Sequence, residues 1–389
     1  MYKRSLATVL ERYSKIYRVI SIMGPRQSGK TTIARTLFPH LPYVSFESST
    51  QRLLFEEDPD AFLEKYKTGA IFDEAQYVPE LFSRLQLIVD ESPEKGRFVL
   101  TGSQNFLLNE KITQSLAGRV GITTLLPLSL HELGTPSDTN TAICQGGYPE
   151  LHTSHMTSEE FFLSYVSTYV ERDVRQIIHV ENLLSFQKFM KLCAGRIGQL
   201  VNLESLANDC DISPTTVRRW FSILESSYII FFLQPFHKNF SKRLIKMPKL
   251  YFNDTGLACH LLGITTPEQV ESHYLKGGLY ENLVILEILK GRLNRAKTPG
   301  LYFWRDSTGH EIDLIGEWDA TIKAIAIKAG STFKAEFIKN VSYFCELSKN
   351  ENPPTIPVQP YLIYKGDYDG TFLGTKLVPF SQIDSIFNT

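Results

Sequence analysis

Gly24, Gly29, Lys30 and Thr31 stand in the spacing G-x-x-x-x-G-K-T, within the run Gly24-Pro25-Arg26-Gln27-Ser28-Gly29-Lys30-Thr31-Thr32. Glycines at these two places let backbone N–H groups converge on an anion. The lysine brings charge to phosphate oxygens, and the hydroxyl beside it is a hard ligand for Mg2+. The chemistry this spacing supports is triphosphate binding, with Lys30 on the β- and γ-phosphates and Thr31 on the metal. Further along, the apolar run Gly69-Ala70-Ile71-Phe72 ends in Asp73-Glu74. Asp73 is expected to hold Mg2+ through water, and Glu74 to polarise an attacking water as general base. Downstream of a phosphate loop, the pair completes a hydrolysis site.

Two more positions bear on that site. Ser103 and Gln104 end the apolar run Arg97–Leu100; a strand tip there is placed to sense the γ-phosphate or orient the water, or serves only as a turn. Arg119 acts either on the transition state, within its own or a neighbouring subunit, or only in a surface salt bridge.

The elements that must position these groups follow from pattern. Tyr17–Met23 reads as a buried strand entering the loop, and Ile33–Phe38 as the helix leaving it. A helix over 6–14 precedes them. A strand over 42–47, helical segments over 50–67 broken at Asp58-Pro59, a helix Glu80–Asp90, the strand 97–104 and a helix 105–116 complete an α/β unit with a parallel sheet. Gly146-Gly147-Tyr148-Pro149-Glu150 is a turn suited to its end.

The chain has 389 residues, which predicts more than one domain, and a formal net charge of -1, so a nucleic-acid site must be a local patch. Its five cysteines form no C-x-x-C pair, which argues against a zinc site or disulfide framework and for a reducing, cytoplasmic setting. No apolar run has membrane-spanning length, so no membrane partner is expected.

The middle of the chain carries a helix over 158–179 with the charge run Glu171-Arg172-Asp173-Val174-Arg175. After it, Asn202–Cys210, a short turn and Pro214–Leu224 read as helix-turn-helix, with Ser213 as N-cap and Pro214 at the first helical position. A strand over Tyr228–Pro235 suits a wing. In a DNA reader of this winged type the second helix enters the major groove, so Thr215, Thr216, Arg218 and Arg219 are the expected contacts. The other reading is a spacer or docking surface. His237–Lys249 is the most basic stretch, suited to a phosphate backbone or to a solvated hairpin.

From Lys249 onward the pattern is strand, helix 256–263, an amphipathic helix opening at Gly277, strands at Leu301–Trp304, Glu311–Ile315 and Ala324–Gly330, a helix 334–347 and a strand Tyr361–Tyr364.

The set Gly-Pro-Arg-Gln-Ser-Gly-Lys-Thr-Thr, Phe-Asp-Glu-Ala-Gln, Leu-Thr-Gly-Ser-Gln, Leu-Ala-Gly-Arg-Val and Gly-Gly-Tyr-Pro-Glu resembles the AAA-type ATPases. In particular it resembles the bacterial and archaeal group that carries a C-terminal domain of unknown function, DUF4143. The likeness is dense over residues 17–150. It implies ATP rather than GTP as ligand, in keeping with the absence of an Asn-Lys-x-Asp motif. The element order of the C-terminal part resembles the restriction-endonuclease-like, PD-(D/E)XK fold. That likeness matches Glu281 to the helix carboxylate, Asp313 to the strand carboxylate and Lys328 to the lysine. The expected Glu-x-Lys glutamate is replaced by Ala326, which removes an oxygen ligand for a hard metal ion.

The expected architecture is therefore α/β and multidomain: a P-loop ATPase domain over 1–155, a helical linker with winged helix-turn-helix over 156–240, and a degenerate PD-(D/E)XK-like, DUF4143-like domain over 241–389. The expected activity is a Mg2+-dependent ATP-hydrolysing switch, coupled to nucleic acid or a partner and possible as a homo-oligomer. Its alternatives are a DNA-binding regulator that uses ATP without turnover, and a nucleotide-regulated nuclease.

Overall fold

Val19–Met23 is buried along its whole length, as are Ala70–Asp73 and Phe98–Gly102. Continuous apolar strands of this kind belong in the middle of a parallel sheet covered on both faces. In the computed structural model, which describes residues 2–103, 115–134, 138–170, 183–236, 246–318, 320–349 and 356–387, they do so. Strands β1 (Val19–Met23), β2 (Tyr43–Ser45), β3 (Ala70–Asp73), β4 (Phe98–Gly102) and β5 (Val120–Thr124) form a parallel sheet in the order β2-β3-β4-β1-β5. On one face Ile20, Ile22 and Val99 pack with helices α1 (Ala7–Ser14) and α2 (Lys30–Leu37). The other face packs with α3 (Ser49–Glu57), α4 (Pro59–Glu64) and α5 (Glu80–Asp90). The break at Asp58-Pro59 is where expected, and Asp58 caps α4 by accepting from the Ala61 N–H at 2.9 Å.

Beyond the sheet come α6 (Leu130–Leu133), α7 (Thr139–Gln145), α8 (Ser158–Tyr165) and α9 (Leu183–Ala194). Then α10 (Leu203–Cys210) and α11 (Pro214–Ser226) follow across a three-residue turn. Asn202 caps α10 through the Ser205 N–H, and Ser213 caps α11 through the Thr216 N–H. Gln104, most of the expected helix 105–116, the Glu171–Arg175 charge run and residues 237–245 of the basic stretch lie outside the described residues.

The expected wing strand is β6 (Ile230–Pro235). It pairs antiparallel with β7 (Lys249–Phe252) and parallel with a strand of the C-terminal segment. That segment contains α12 (Thr255–Leu262), α13 (Pro267–Ser272), α14 (Lys276–Leu293), β8 (Leu301–Arg305), β9 (Glu311–Trp318), β10 (Thr321–Lys328), α15 (Lys339–Lys349), β11 (Val358–Tyr364), β12 (Gly370–Phe372) and β13 (Thr375–Pro379). One eight-stranded sheet results, in the order β12-β13-β11-β10-β9-β8-β6-β7. A boundary at 240–241 falls between two strands that pair with each other. The backbone of β6 is paired on both edges by strands that come later in the chain than that boundary.

Helix α14 also differs from its expected amphipathic form. It is buried nearly all round, Glu287, Lys290 and Arg292 included, because it lies between the large sheet and the α7–α12 layer. Its Asn282 closes the backbone of β7, donating to the Phe252 carbonyl at 2.9 Å and accepting from the Phe252 N–H at 2.7 Å. One apolar cluster runs from the first sheet through α8, α9 and α11 to α14, so the segments share a core; a second lies between the large sheet and α15.

Candidate nucleotide site

The strand register brings the chemistry to one edge. Met23 lies beside Gly102, so the phosphate loop and Ser103 leave neighbouring strands at the same level. β4 separates β1 from β3, and Asp73 follows Phe72, which lies opposite Leu100. The loop itself is held in conformations that few residues adopt. Gly24 has φ 151°, and a Cβ there would collide with the Leu125 carbonyl. Gly29, with φ 93°, begins α2.

Lys30 is buried and donates to the carbonyls of Gly24 and Pro25, at 3.0 and 2.7 Å. The Ser28 hydroxyl is buried without a hydrogen-bond partner among the described residues. Thr31 donates to Asp73 Oδ1 at 2.9 Å; Thr101 donates to the same oxygen, and Tyr43 donates to Oδ2 at 2.8 Å. Arg26 turns away from the loop toward Glu47, at 3.2 Å, and Tyr77, at 3.0 Å. Gln27 takes φ 58°, while Thr32 is exposed on α2. These groups suit a nucleotide with Mg2+. A glycine-lined loop opens a helix N-terminus, a cation lies within it, and a hydroxyl meets a carboxylate beside it.

Glu74 has φ 53°, a left-handed conformation that costs a non-glycine residue about 1–3 kcal/mol and is characteristic of functional sites. That turn sends its carboxylate back over the sheet edge. Ser103 donates to Glu74 Oε2 at 2.9 Å, and Gln76 donates both to that oxygen and, at 3.2 Å, to Ser103 Oγ. Burial acts to raise the Glu74 carboxyl. The Lys30 charge, the Gln76 amide, the Arg26 charge and the Ser103 hydroxyl outweigh it and hold the carboxyl below the ordinary glutamate value. Gln76 was not singled out by type and spacing; its place two residues past Glu74 was the available signal.

Arg119 lies elsewhere. It precedes Val120, which is level with Val19, so it stands at the amino edge of the sheet. A five-residue strand, roughly 13 Å, separates it from the loop. There it grips Asp90 through Nε at 2.5 Å and Nη2 at 2.8 Å, which makes it a surface ion pair in its own chain.

The C-terminal candidates do come together. Glu281 on α14 accepts from Lys249, at 3.0 Å, and from the Tyr251 hydroxyl. Lys249 also meets Glu311 at 2.5 Å, and Lys328 donates to Asp313 at 3.1 Å. Burial acts to lower the Lys249 ammonium, but Glu281, Glu311 and Asp313 together raise it above the ordinary lysine value. A buried cation of the chain's own is therefore bonded to Glu281 and Glu311, and Ala326 supplies no oxygen. No group of three or more His, Cys, Asp or Glu side chains among the described residues is arranged to hold a metal ion. The residues do not fit a nuclease metal, and no cleavage step follows from them. Lys249 and Glu311 were missed because only the pairings of β7 with β6, β6 with β8 and β8 with β9 bring the two together.

On α11, Thr215, Arg218 and Arg219 are exposed, whereas Thr216 is half-buried and its hydroxyl meets Ser213 Oγ at 2.9 Å, within the cap.

The parallel sheet with its loop, carboxylates and strand tip defines a P-loop nucleotide-binding domain. An AAA domain model matches residues 17–134, a domain of unknown function (DUF8612) matches 137–268, and a second (DUF4143) matches 276–383. An uncharacterized protein of Mycobacterium tuberculosis is 32% identical over 336 residues, 85% of this chain and 74% of its own. One from Methanocaldococcus jannaschii is 23% identical over 302 residues, 69% of this chain and 65% of its own. Among solved structures, a Walker-type ATPase of Pyrococcus abyssi is 15% identical, spanning 67% of this chain and 96% of that one, with a TM-score of 0.44. The chain belongs to the AAA-type P-loop ATPase family with a C-terminal DUF4143 domain. No helix among the described residues is long and apolar enough to cross a membrane.

Proposed function

We propose that this chain is a Mg2+-dependent ATP-hydrolysing switch whose nucleotide state repositions its middle and C-terminal segments. The observation that carries the reading is the Glu74 carboxylate, buried, held ionised, and fixed by Ser103 and Gln76 at the edge where Lys30 lies.

In this reading the N–H groups of Gly24–Thr32 cradle the phosphates, and Lys30 exchanges its two loop carbonyls for the β- and γ-phosphate oxygens. Thr31 and Asp73 hold Mg2+, which when bound offsets charge on those oxygens. Glu74 orients a water toward the γ-phosphorus and accepts its proton as the bond to the β–γ bridging oxygen breaks, leaving ADP and phosphate. Ser103 and Gln76 keep the carboxylate in place. Any transition-state role for Arg119 is exercised on a neighbouring subunit, in a homo-oligomer.

A second reading is favoured by α11, whose Arg218 and Arg219 project from a capped helix after a short turn. It makes the pair a winged helix-turn-helix DNA binder and ATP an allosteric ligand without turnover. The C-terminal part would then be a PD-(D/E)XK-like scaffold without cleavage.

The test is steady-state ATP hydrolysis with and without duplex DNA, alongside nucleotide binding, for the parent and Lys30→Ala. Loss of binding and turnover in Lys30→Ala is expected. Unchanged turnover in that variant removes the site assignment, and binding without turnover by the parent selects the second reading.

A further inference from the structure

Arg4 precedes α1 and belongs to no motif, yet its guanidinium is buried at the phosphate loop. Nη1 donates to the Ser28 carbonyl at 2.6 Å, Nη2 to the Leu126 carbonyl at 2.6 Å, and Nε to Glu132 Oε1 at 3.2 Å. These acceptors are 24, 122 and 128 residues away in sequence, so the site is assembled by the fold. Glu132 matches it. Its side chain is fully buried, and it also accepts from the N–H groups of Ser5, at 2.7 Å, and Ser129, at 2.9 Å.

The Ser28 carbonyl is one end of the peptide unit whose other end is the Gly29 N–H. In a planar trans peptide the two point in opposite directions. A donor fixing the carbonyl on one side therefore fixes the N–H on the other, at the residue that opens α2 beside Lys30. Gly29 alone does not fix that plane, because glycine has the widest conformational freedom of any residue. The second donor ties the same guanidinium to Leu126, which follows Leu125, the residue whose carbonyl backs Gly24.

We propose that Arg4 is a positioning residue for the phosphate loop, which sets the Ser28–Gly29 peptide so that the Gly29 N–H faces the triphosphate. It acts through the backbone and touches no ligand. This rests on the nucleotide reading above. A lysine does not replace it, since an ammonium is a point donor and lacks the planar fork that serves three acceptors at once.

The experiment compares the parent with Arg4→Lys, which keeps the charge opposite Glu132 but loses the fork. Binding of a fluorescent ATP analogue, KM and kcat for ATP, and the thermal midpoint are measured on the full chain. The expected result is a midpoint near the parent's with Kd and KM raised about tenfold or more, and kcat changed less. Should Arg4→Lys not fold, the double variant Arg4→Met with Glu132→Gln removes the charge pair together and carries the same expectation. A folded variant whose Kd and KM match the parent's overturns the proposal. Failure of the parent itself to bind the analogue overturns the nucleotide reading instead.

Discussion

Ser103 donates its hydroxyl to Glu74 Oε2 at 2.9 Å, joining the tips of β4 and β3 across the site. The bond, with that from Gln76, fixes the carboxylate that the proposed reading makes the general base. Glu74→Gln keeps the shape and loses the acceptor charge. ATP binding is expected to persist while kcat falls about 10²–10⁴-fold, the usual range for a general base. Ser103→Ala leaves the base in place with less restraint, so a smaller fall is expected. Phosphate release and fluorescent-nucleotide titration measure both. Parent-like turnover in Glu74→Gln means that another group activates the water.

Lys249 is the counter-charge of the C-terminal cluster. Lys249→Met leaves the half-buried Glu281 and Glu311 without it, and the cost is bounded by the roughly 3–5 kcal/mol of breaking a fully buried pair from one side. The raised lysine value sets the direction with pH. Its stabilisation is complete below the ordinary lysine value of 10.5 and is lost as pH rises through the higher folded value. Denaturant unfolding at neutral pH measures the cost. The same geometry predicts no Mg2+-dependent cleavage of supercoiled DNA by the parent; cleavage that disappears in Asp313→Ala contradicts it.

What could be read in the chain and what could not divide along physical lines. The phosphate loop and Asp73-Glu74 were legible because each is a local chemical requirement, met by consecutive residues between a strand and a helix. β5 was not read as a strand, because Val-Gly-Ile-Thr-Thr is short, interrupted by glycine and patterned for a sheet edge. Ser103 was open between turn and sensor because type and spacing do not show which strand ends lie side by side; the register sets Gly102 beside Met23. Arg4, Glu311 and Lys249 owe their positions to pairings between distant segments, which residue type and spacing do not encode. The apolar run of β6 was visible, but its neighbour in the large sheet was not.

Glu132 gives the fold an acid-sensitive contribution. Burial acts to raise its carboxyl, but the Arg4 charge and the N–H groups of Ser129 and Ser5 hold it below the ordinary value of 4.5. A lowered folded value means the unfolded chain binds the proton more tightly. The stabilisation is thus present above pH 4.5 and is lost as pH falls through the folded value. Glu132→Gln should be markedly less stable than the parent at pH 7, since Arg4 is left buried without its partner. The gap should narrow on acidification. Urea midpoints for both across that range are the measurement, and a gap that does not depend on pH shows that the charge is not what matters.

If α11 meets DNA, Arg218 and Arg219 carry the electrostatic part, since both are exposed and Thr216 is engaged in the cap. Replacing both by alanine should weaken binding to all duplex sequences. The slope of log affinity against log salt should fall by about 0.9 for each phosphate that is no longer neutralised. Fluorescence anisotropy at several salt concentrations reads this directly. An unchanged slope with unchanged affinity places DNA, if bound, on another surface.

Leu128 and Leu130 connect the nucleotide edge to the C-terminal segment. Lys290 donates to the Leu128 carbonyl at 2.9 Å and to Glu287 at 2.9 Å, while Glu287 accepts from the Leu130 N–H at 2.8 Å. The same stretch carries Ser129, whose N–H is held by Glu132, the partner of Arg4. If nucleotide at the loop is felt by α14, these bonds are the physical route, and a route requires demonstrated coupling and not only adjacency. ATP should alter amide exchange over residues 276–293 in the parent. In the double variant Lys290→Met with Glu287→Gln, which removes the pair without leaving one charge buried, ATP should still bind but that response should shrink. An equal response in both proteins means that the shared apolar core, and not this pair of side chains, transmits the nucleotide state.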